Sequence, residues 1–394
     1  MGKQGDGCHD EKGEQMPAEP SFTVGMEEEY HLVHKDSGDL VTEQPDALLA
    51  RCEALLGERV TREFQQCQIE VGTNVCQSAA EIRKELRELR AGIATTAEQF
   101  GLAPIAVSTH PYGEWEKQPH TQRERYELLA EDMQIAAQRL LICGMHVHVA
   151  IEDEDLRIDL FNQLSYFLPH LLALTASSPF WHGRETGLKA YRLSVFDEMP
   201  RTGLPEPFDS WGEYRRMVRL LVNAQVISDA TMIWWDLRPS DKFPTLEMRI
   251  CDVCPRLEDG IAVAMLYRCI LRMLYRLRRD NQRWRSYPNF LIRENRWRAQ
   301  RYGVGDSLID FGRGERVPFV DLIDELIEHI RPDAEALDCV KEVNHCKTIA
   351  AEGTSADRQI SLFKKLTDQG ASDHEALQAV VRQLQKETLE GVNV

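Results

Sequence analysis

The stretch FTVGMEEEYHLV, residues 22–33, decides how the rest of the chain is read. It is rich in β-forming residues that alternate with a period of two, and so predicts a strand. Successive side chains on a strand point to opposite faces. Glu27 and Glu29 therefore share one face, and Glu28 and Tyr30 the other. Both Glu27 and Glu29 stand among apolar neighbours, which predicts burial. Buried carboxylates repel each other and lose solvation, so they need a partner.

Working outward, EFQQCQIEV (63–71) predicts a second strand carrying Glu70 and ended by Gly72-Thr73-Asn74. LICGMHVHVAI (141–151) predicts another, with His146 and His148 on one face. Leu102–Ser108 is a buried strand, and Ile233–Arg238 and Thr245–Cys251 are further strands. The last of these places Glu247 and Arg249 together. Amphipathic patterns predict helices over 44–56, 78–100, 122–138, 153–176, 211–228, 257–279 and 289–302. Residues 177–207 form a long irregular stretch with several Pro and Gly, which marks a functional loop and a candidate lid. The strands are unevenly spaced, which argues for an α+β fold over regular βαβ winding.

Residues 1–20 are polar and rich in Gly, Glu and Gln, and are expected to be a disordered tail with no secretory signal. Residues 21–394 are expected to form a single catalytic domain, of which 319–394 is a helical, charged C-terminal part. The net charge of −17 and a pI near 5.2 argue against a nucleic-acid partner. No apolar run is long enough to cross a membrane, so no membrane association is expected. The ten scattered cysteines read as reduced thiols in a cytoplasmic protein. The single CxxC, Cys251 to Cys254, reads as ordinary packed thiols.

Each acidic motif has a plain alternative. An ExE on a strand is usually a solvated face, an HxH on an apolar strand is often a structural pair, and an ExR is often an ion pair. The apolar settings of Glu27, Glu29, His146 and His148 tip the balance toward burial. If these strands share one sheet face, Glu27, Glu29, Glu70, His146, His148 and Glu247 offer oxygen and imidazole donors suited to Mg²⁺ or Mn²⁺. Arg249 on the same face is a donor for a phosphate or a developing phosphoryl charge. The chain contains no GxxxxGK[ST], no strand-linked GxGxxG, no GxSxG and no HExxH. An ATP molecule would therefore be held by metal ions and arginines.

Eight stretches, in order, closely resemble the type 2 glutamate–cysteine ligase family, also called carboxylate–amine ligases. They are GMEEEYHLV (25–33), QIEVGT (68–73), STHPYGEW (108–115), ICGMHVHV (142–149), SSPFWHGRETGL (177–188), RTGLPEPFDSWGEY (201–214), WWDLRPSDKFPTLEMRICD (234–252) and ENRWRAQRYG (294–303). The resemblance implies a curved antiparallel sheet forming a funnel with flanking helices, like the catalytic domains of glutamine synthetase and glutamate–cysteine ligase. It implies two or three Mg²⁺ ions, with ATP as co-substrate. Glu27, Glu29 and Glu70 match the family's metal-binding glutamates, and His146 or His148 its metal- or phosphate-contacting histidine. Glu247 and Arg249 match the pair that binds metal and the transferring phosphoryl group, and are the implied catalytic residues. Arg192 and Arg238 sit in motifs that meet a substrate carboxylate or phosphate, and Trp297, Arg298 and Arg301 lie in a further substrate- or nucleotide-binding motif. Lys189-Ala190, Ala150 and His182 depart from the family pattern.

The implied reaction joins a carboxylate, by resemblance the γ-carboxylate of glutamate, to an amine such as that of cysteine through an acyl phosphate. The partners are small molecules, and a C2 homodimer is the expected assembly. Two other classes fit parts of the pattern: a metal-dependent amide hydrolase using the same cluster, and a non-catalytic binding protein that keeps the fold.

Overall fold

Three other strands of the main sheet pair directly with β1 (Val24–His34). The computed structural model describes residues 18–393, and the side chain of Arg125 is not described. Residues 1–17 of the expected tail lie outside the described residues. Within that expected tail, Glu19 pairs with Arg272 at 3.0 Å and Pro20 is buried. Glu19 and Pro20 thus pack on the body.

In chain order the strands after β1 are β2 (Val60–Arg62), β3 (Gln68–Gly72), β4 (Leu102–Ile105), β5 (Met145–Ala150), β6 (Phe180–Trp181), β7 (Arg184–Glu185), β8 (Thr202–Gly203), β9 (Trp234–Trp235), β10 (Leu237–Pro239), β11 (Thr245–Met248), β12 (Ser307–Asp310) and β13 (Glu315–Pro318). Seven of them build one antiparallel sheet in the order β10-β11-β5-β1-β3-β2, with β4 also on β1. The α+β expectation holds, with mixed helices around an antiparallel sheet. The expected strand at 63–71 is broken: 60–62 and 68–72 pair with each other while 63–67 turn between them. The expected strand at 233–238 is likewise split into β9 and β10.

The two faces of β1 have different fates. Glu28 lies on the core face, fully buried, and Arg90 reaches it from the helix Ala79–Glu98 with bonds of 2.8 and 2.9 Å. Arg90 also donates to the carbonyls of Cys254 and Thr388. Removing one partner of such a pair leaves an uncompensated buried charge, which costs about 3–5 kcal/mol. The pair therefore helps to fix the register of β1, and with it the outward placement of Glu27 and Glu29.

Beneath that face runs the helix Leu257–Arg279, buried along most of its length from Leu257 to Tyr275. The helices Phe319–Ala336 and Val340–Glu352 pack on it, giving the helical C-terminal part. The expected helix at 122–138 breaks at Gln134, where φ is 51°. The one expected at 153–176 becomes Glu154–Leu164, a short 3-10 turn, and Leu168–Thr175, with Pro169 starting the last piece. Residues 177–207 are less irregular than expected, since they contain β6, β7, the helix Arg192–Phe196 and β8. Among the described residues, no helix is long and apolar enough to cross a membrane.

Candidate active site

The sheet register brings the sequence-predicted acids together. Glu27 stands opposite His146, Glu29 opposite Glu70, Glu247 opposite His148, and Arg238 opposite Glu247. Because side chains alternate, these residues line one face in a row running from β3 across β1, β5 and β11 to β10. Two groups form on it. Glu27, His146 and Glu247 each offer a ligand atom, all within 4.8 Å of one another, and Glu29, Glu63 and Glu70 do the same.

The first group is charge-compensated by the chain itself. His146 Nδ1 is 3.1 Å from Glu27 Oε2, and His148 Nε2 is 3.5 Å from Glu27 Oε1. Arg238 donates to Glu247 through Nε at 2.6 Å and Nη2 at 3.2 Å, and Arg249 donates to it as well. Burial works against charge on Glu27, but the hydrogen bonds from the two histidines outweigh it and hold this carboxyl well below its usual range. Burial is outweighed in the same way at Glu247, by Arg249 and Arg238. His146 is driven down to about 4 by burial and by Arg249, and so is neutral and able to donate a lone pair. His148 is raised, since Glu27 and Glu247 outweigh its burial, and its Nδ1 is held by Thr245 Oγ1 at 3.0 Å.

The second group is only partly compensated: Arg192 and Arg249 act on Glu29, but burial and Glu63 outweigh them. Glu29 is raised to about 8, by burial first and Glu63 second. Glu70 is also raised, by burial and then by Glu63 and Glu27. The backbone N–H of Gly144, at 2.6 Å, is the main donor to Glu29. Three carboxylates this close, with no ion-paired cation among the described residues, fit a hard divalent ion bound by oxygen.

Glu63 is the residue that sequence reading missed. On a continuous strand it would face away from Glu70, seven positions on. The turn at 63–67 brings it back to the same side. A Glu just before an aromatic residue and paired glutamines was the only available signal, and a weak one.

A cationic corner closes this side. Arg192 is 3% exposed and donates to the carbonyls of Arg249 and Ile250. Its Nε and that of Arg249 are buried with no hydrogen-bond partner among the described residues. Gly144 makes the approach possible, because a Cβ there would lie 2.4 Å from Arg192 Nη2. Arg192 is placed by Ser178, whose Oγ accepts from its backbone N–H at 3.0 Å and donates to Asp252 at 2.7 Å. Ser177 N–H adds a bond to Asp252 at 2.9 Å. Residues 177–181 of the candidate lid at 177–207 thus form a buried wall.

The remaining predicted residues are placed differently. Arg298 bonds Ser307 and Asp306, Arg301 stacks on Tyr302, and Trp297 is half exposed. Those contacts are to the helix's own neighbours and not to either acid group. From the same helix, Arg296 reaches inward to Asp236 and Asp197. Of the departures, Lys189 pins the wall to Asp357 at 2.7 Å. Cys251 and Cys254 are free and buried, as are all nine cysteines among the described residues. Next to His148 lies a cavity of about 490 Å³ whose walls include Phe243, Trp211, Arg157 and Lys242.

Comparison with known proteins gives a consistent answer. The model of the family described as glutamate-cysteine ligase family 2 (GCS2) matches residues 23–383. A Rhodospirillum rubrum protein named "Putative glutamate--cysteine ligase 2" is 58% identical over 375 residues, covering 94% of this chain and 96% of that protein. A Jannaschia protein of the same name is 56% identical over 363 residues, covering 92% and 96%. The fold is similar to that of glutamate–cysteine ligase from Francisella tularensis in complex with AMP, with a TM-score of 0.64 at 14% identity, covering 94% of this chain and 93% of that one. It is also similar to a bifunctional glutathione synthetase from Pasteurella multocida, with a TM-score of 0.65 at 14% identity, covering 93% and 53%. The match over nearly the whole chain and the high identities agree with the acid rows on the sheet: the chain belongs to glutamate–cysteine ligase family 2, and so to the enzymes that form carbon–nitrogen bonds.

Proposed function

We propose that the chain is an ATP-dependent ligase that activates the γ-carboxylate of glutamate as an acyl phosphate and transfers the acyl group to the amine of an amino acid such as cysteine. The observation that carries this reading is the pairing, on one sheet face, of two three-residue donor groups with the guanidinium groups of Arg238, Arg249 and Arg192. Two or three Mg²⁺ ions, or Mn²⁺, held by Glu27, His146 and Glu247 and by Glu29, Glu63 and Glu70, would neutralise phosphate charge when bound. The all-oxygen second group favours these ions over the Zn²⁺ of a hydrolase.

The chain's own groups supply the rest. Glu247 holds Arg249 and Arg238 in place, so both cations are oriented before substrate arrives. The free Nε of Arg249 is a donor for an oxygen of the transferring phosphoryl group. Arg192, with its own free Nε beside Gly144, suits a carboxylate of the amino-acid substrate. The wall at 177–181 excludes water from the acyl phosphate, which hydrolyses readily. The cavity beside His148, with aromatic and cationic walls, suits the base and ribose of ATP. No side-chain nucleophile is needed.

The test is release of ADP and phosphate from ATP with Mg²⁺ and glutamate, across a panel of amines and with each substrate omitted in turn. Turnover that requires both a carboxylate and an amine is expected. Amide hydrolysis without nucleotide would overturn the reading.

A further inference from the structure

A second cavity, of about 330 Å³, lies in the helical part of the molecule and shares no residue with the two acid groups. Its size is at the small end of ligand cavities, about 300–1,000 Å³, which suits one amino acid better than a nucleotide. Three rings shape it. Tyr166 is 5.6 Å, centroid to centroid, from both Trp284 and Tyr287. The hydroxyls of Tyr166 and Tyr287 and the indole N–H of Trp284 make no hydrogen bond among the described residues, so polar edges as well as faces are available. The backbone N–H of Trp284 is anchored to Gln163 at 2.8 Å, so the wall is held from behind.

Charge of both signs lines the cavity: Asp310 and Glu325, both near the Tyr166 hydroxyl, and Arg283 and Arg285. Arg313 reaches both acids, and Arg283 is shared with Asp159 at 3.2 Å. Arg285 has no carboxylate partner among the described residues, and its guanidinium rests over the Tyr287 ring at 5.1 Å. A simple cation would meet the arginines, and a simple anion the acids. A zwitterion meets each with its opposite, and aromatic walls favour an aromatic body.

We propose that this cavity is a second small-molecule site, one that binds a free α-amino acid with an aromatic side chain, its ammonium toward Asp310 and Glu325 and its carboxylate toward Arg285. The site is placed to affect the first. Tyr166 leads into the helix Leu168–Thr175, and just past its end lie Ser177 and Ser178, the residues that hold Asp252 and Arg192. The linker carrying Trp284 and Tyr287 leads into the helix Asn289–Tyr302, where the Gln300 carbonyl accepts from the N–H groups of Lys189 and Ala190, and the Lys189 carbonyl accepts from Ser178 of the wall. Occupation is therefore read as a changed KM for the amino-acid substrate. That last step rests on the proposed function, whereas binding itself does not.

The experiment is calorimetric titration of the full chain, without ATP, using L-phenylalanine, phenethylamine, 3-phenylpropionate and L-alanine. Saturable 1:1 binding of phenylalanine is expected, with each of the other three at least about tenfold weaker, since each lacks a ring or one charge. Trp284→Ala should weaken phenylalanine by about tenfold or more. Arg285→Ala, an exposed change that keeps the fold, should weaken phenylalanine by about threefold or more and leave phenethylamine unchanged. Three results would each overturn the proposal: no saturable binding of phenylalanine, phenethylamine binding as tightly, or affinity unmoved by both variants.

Discussion

The two acid groups lie side by side on one sheet face, and the chain treats them in opposite ways. Glu27 and Glu247 are surrounded by His146, His148, Arg238 and Arg249, and both are held ionised. Glu29, Glu63 and Glu70 have mainly each other, and Glu29 and Glu70 are pushed toward the protonated form. One group is preorganised by protein charge. In the other, burial and mutual repulsion outweigh the nearby positive charge. Charge that the protein does not neutralise marks where a ligand is to do so.

The largest expected effect is at Glu247, where structure and chemistry coincide. Glu247→Gln removes the shared partner of two buried guanidinium groups, so turnover should fall by about 10³ or more and stability by about 3–5 kcal/mol. Steady-state kinetics and urea melts check both. Near wild-type rates would sink the assignment of the first group. If the Nε of Arg249 serves the transferring group as proposed, Arg249→Ala should lower kcat by about 10²–10³ while KM moves much less. A change confined to KM would make Arg249 a binding residue only.

The second group should respond to metal more than to mutation. Mg²⁺ at about 100 times its Kd should stabilise the protein by about 2.7 kcal/mol, seen as a rise in Tm. Glu70→Gln should abolish most of that rise. The same variant without metal should be more stable than wild type, by about 1 kcal/mol, because it relieves like-charge repulsion. A metal-free Glu70→Gln protein less stable than wild type would show that this carboxylate is structural, and the contrast between the groups would fail.

Much of this was legible in the chain because the period of a strand is rigid. Once 22–33 is a strand, Glu27 and Glu29 must share a face, and the HxH and ExR motifs follow the same rule. The helices 257–279 and 289–302 were read to the residue, with Pro255 shortly before the first and Pro288 and Gly303 bounding the second. Legibility failed where tertiary contact overrides local pattern. The break at 63–67 reverses the expected direction of Glu63, and the hairpin β12–β13 forms in a stretch left unassigned. Arg298 was grouped with substrate binders by its motif. The structure instead gives its guanidinium to Asp306 and Ser307, a contact that no spacing rule reveals.

The central claim is that a carboxylate is activated by phosphorylation on this face. The direct measurement uses glutamate labelled with ¹⁸O in its γ-carboxylate, with ATP, Mg²⁺ and the amine that supports turnover. The account predicts one labelled oxygen in each phosphate released, since that oxygen bridges carbon and phosphorus before the amine attacks. Phosphate released without label, while amide product accumulates, would contradict it.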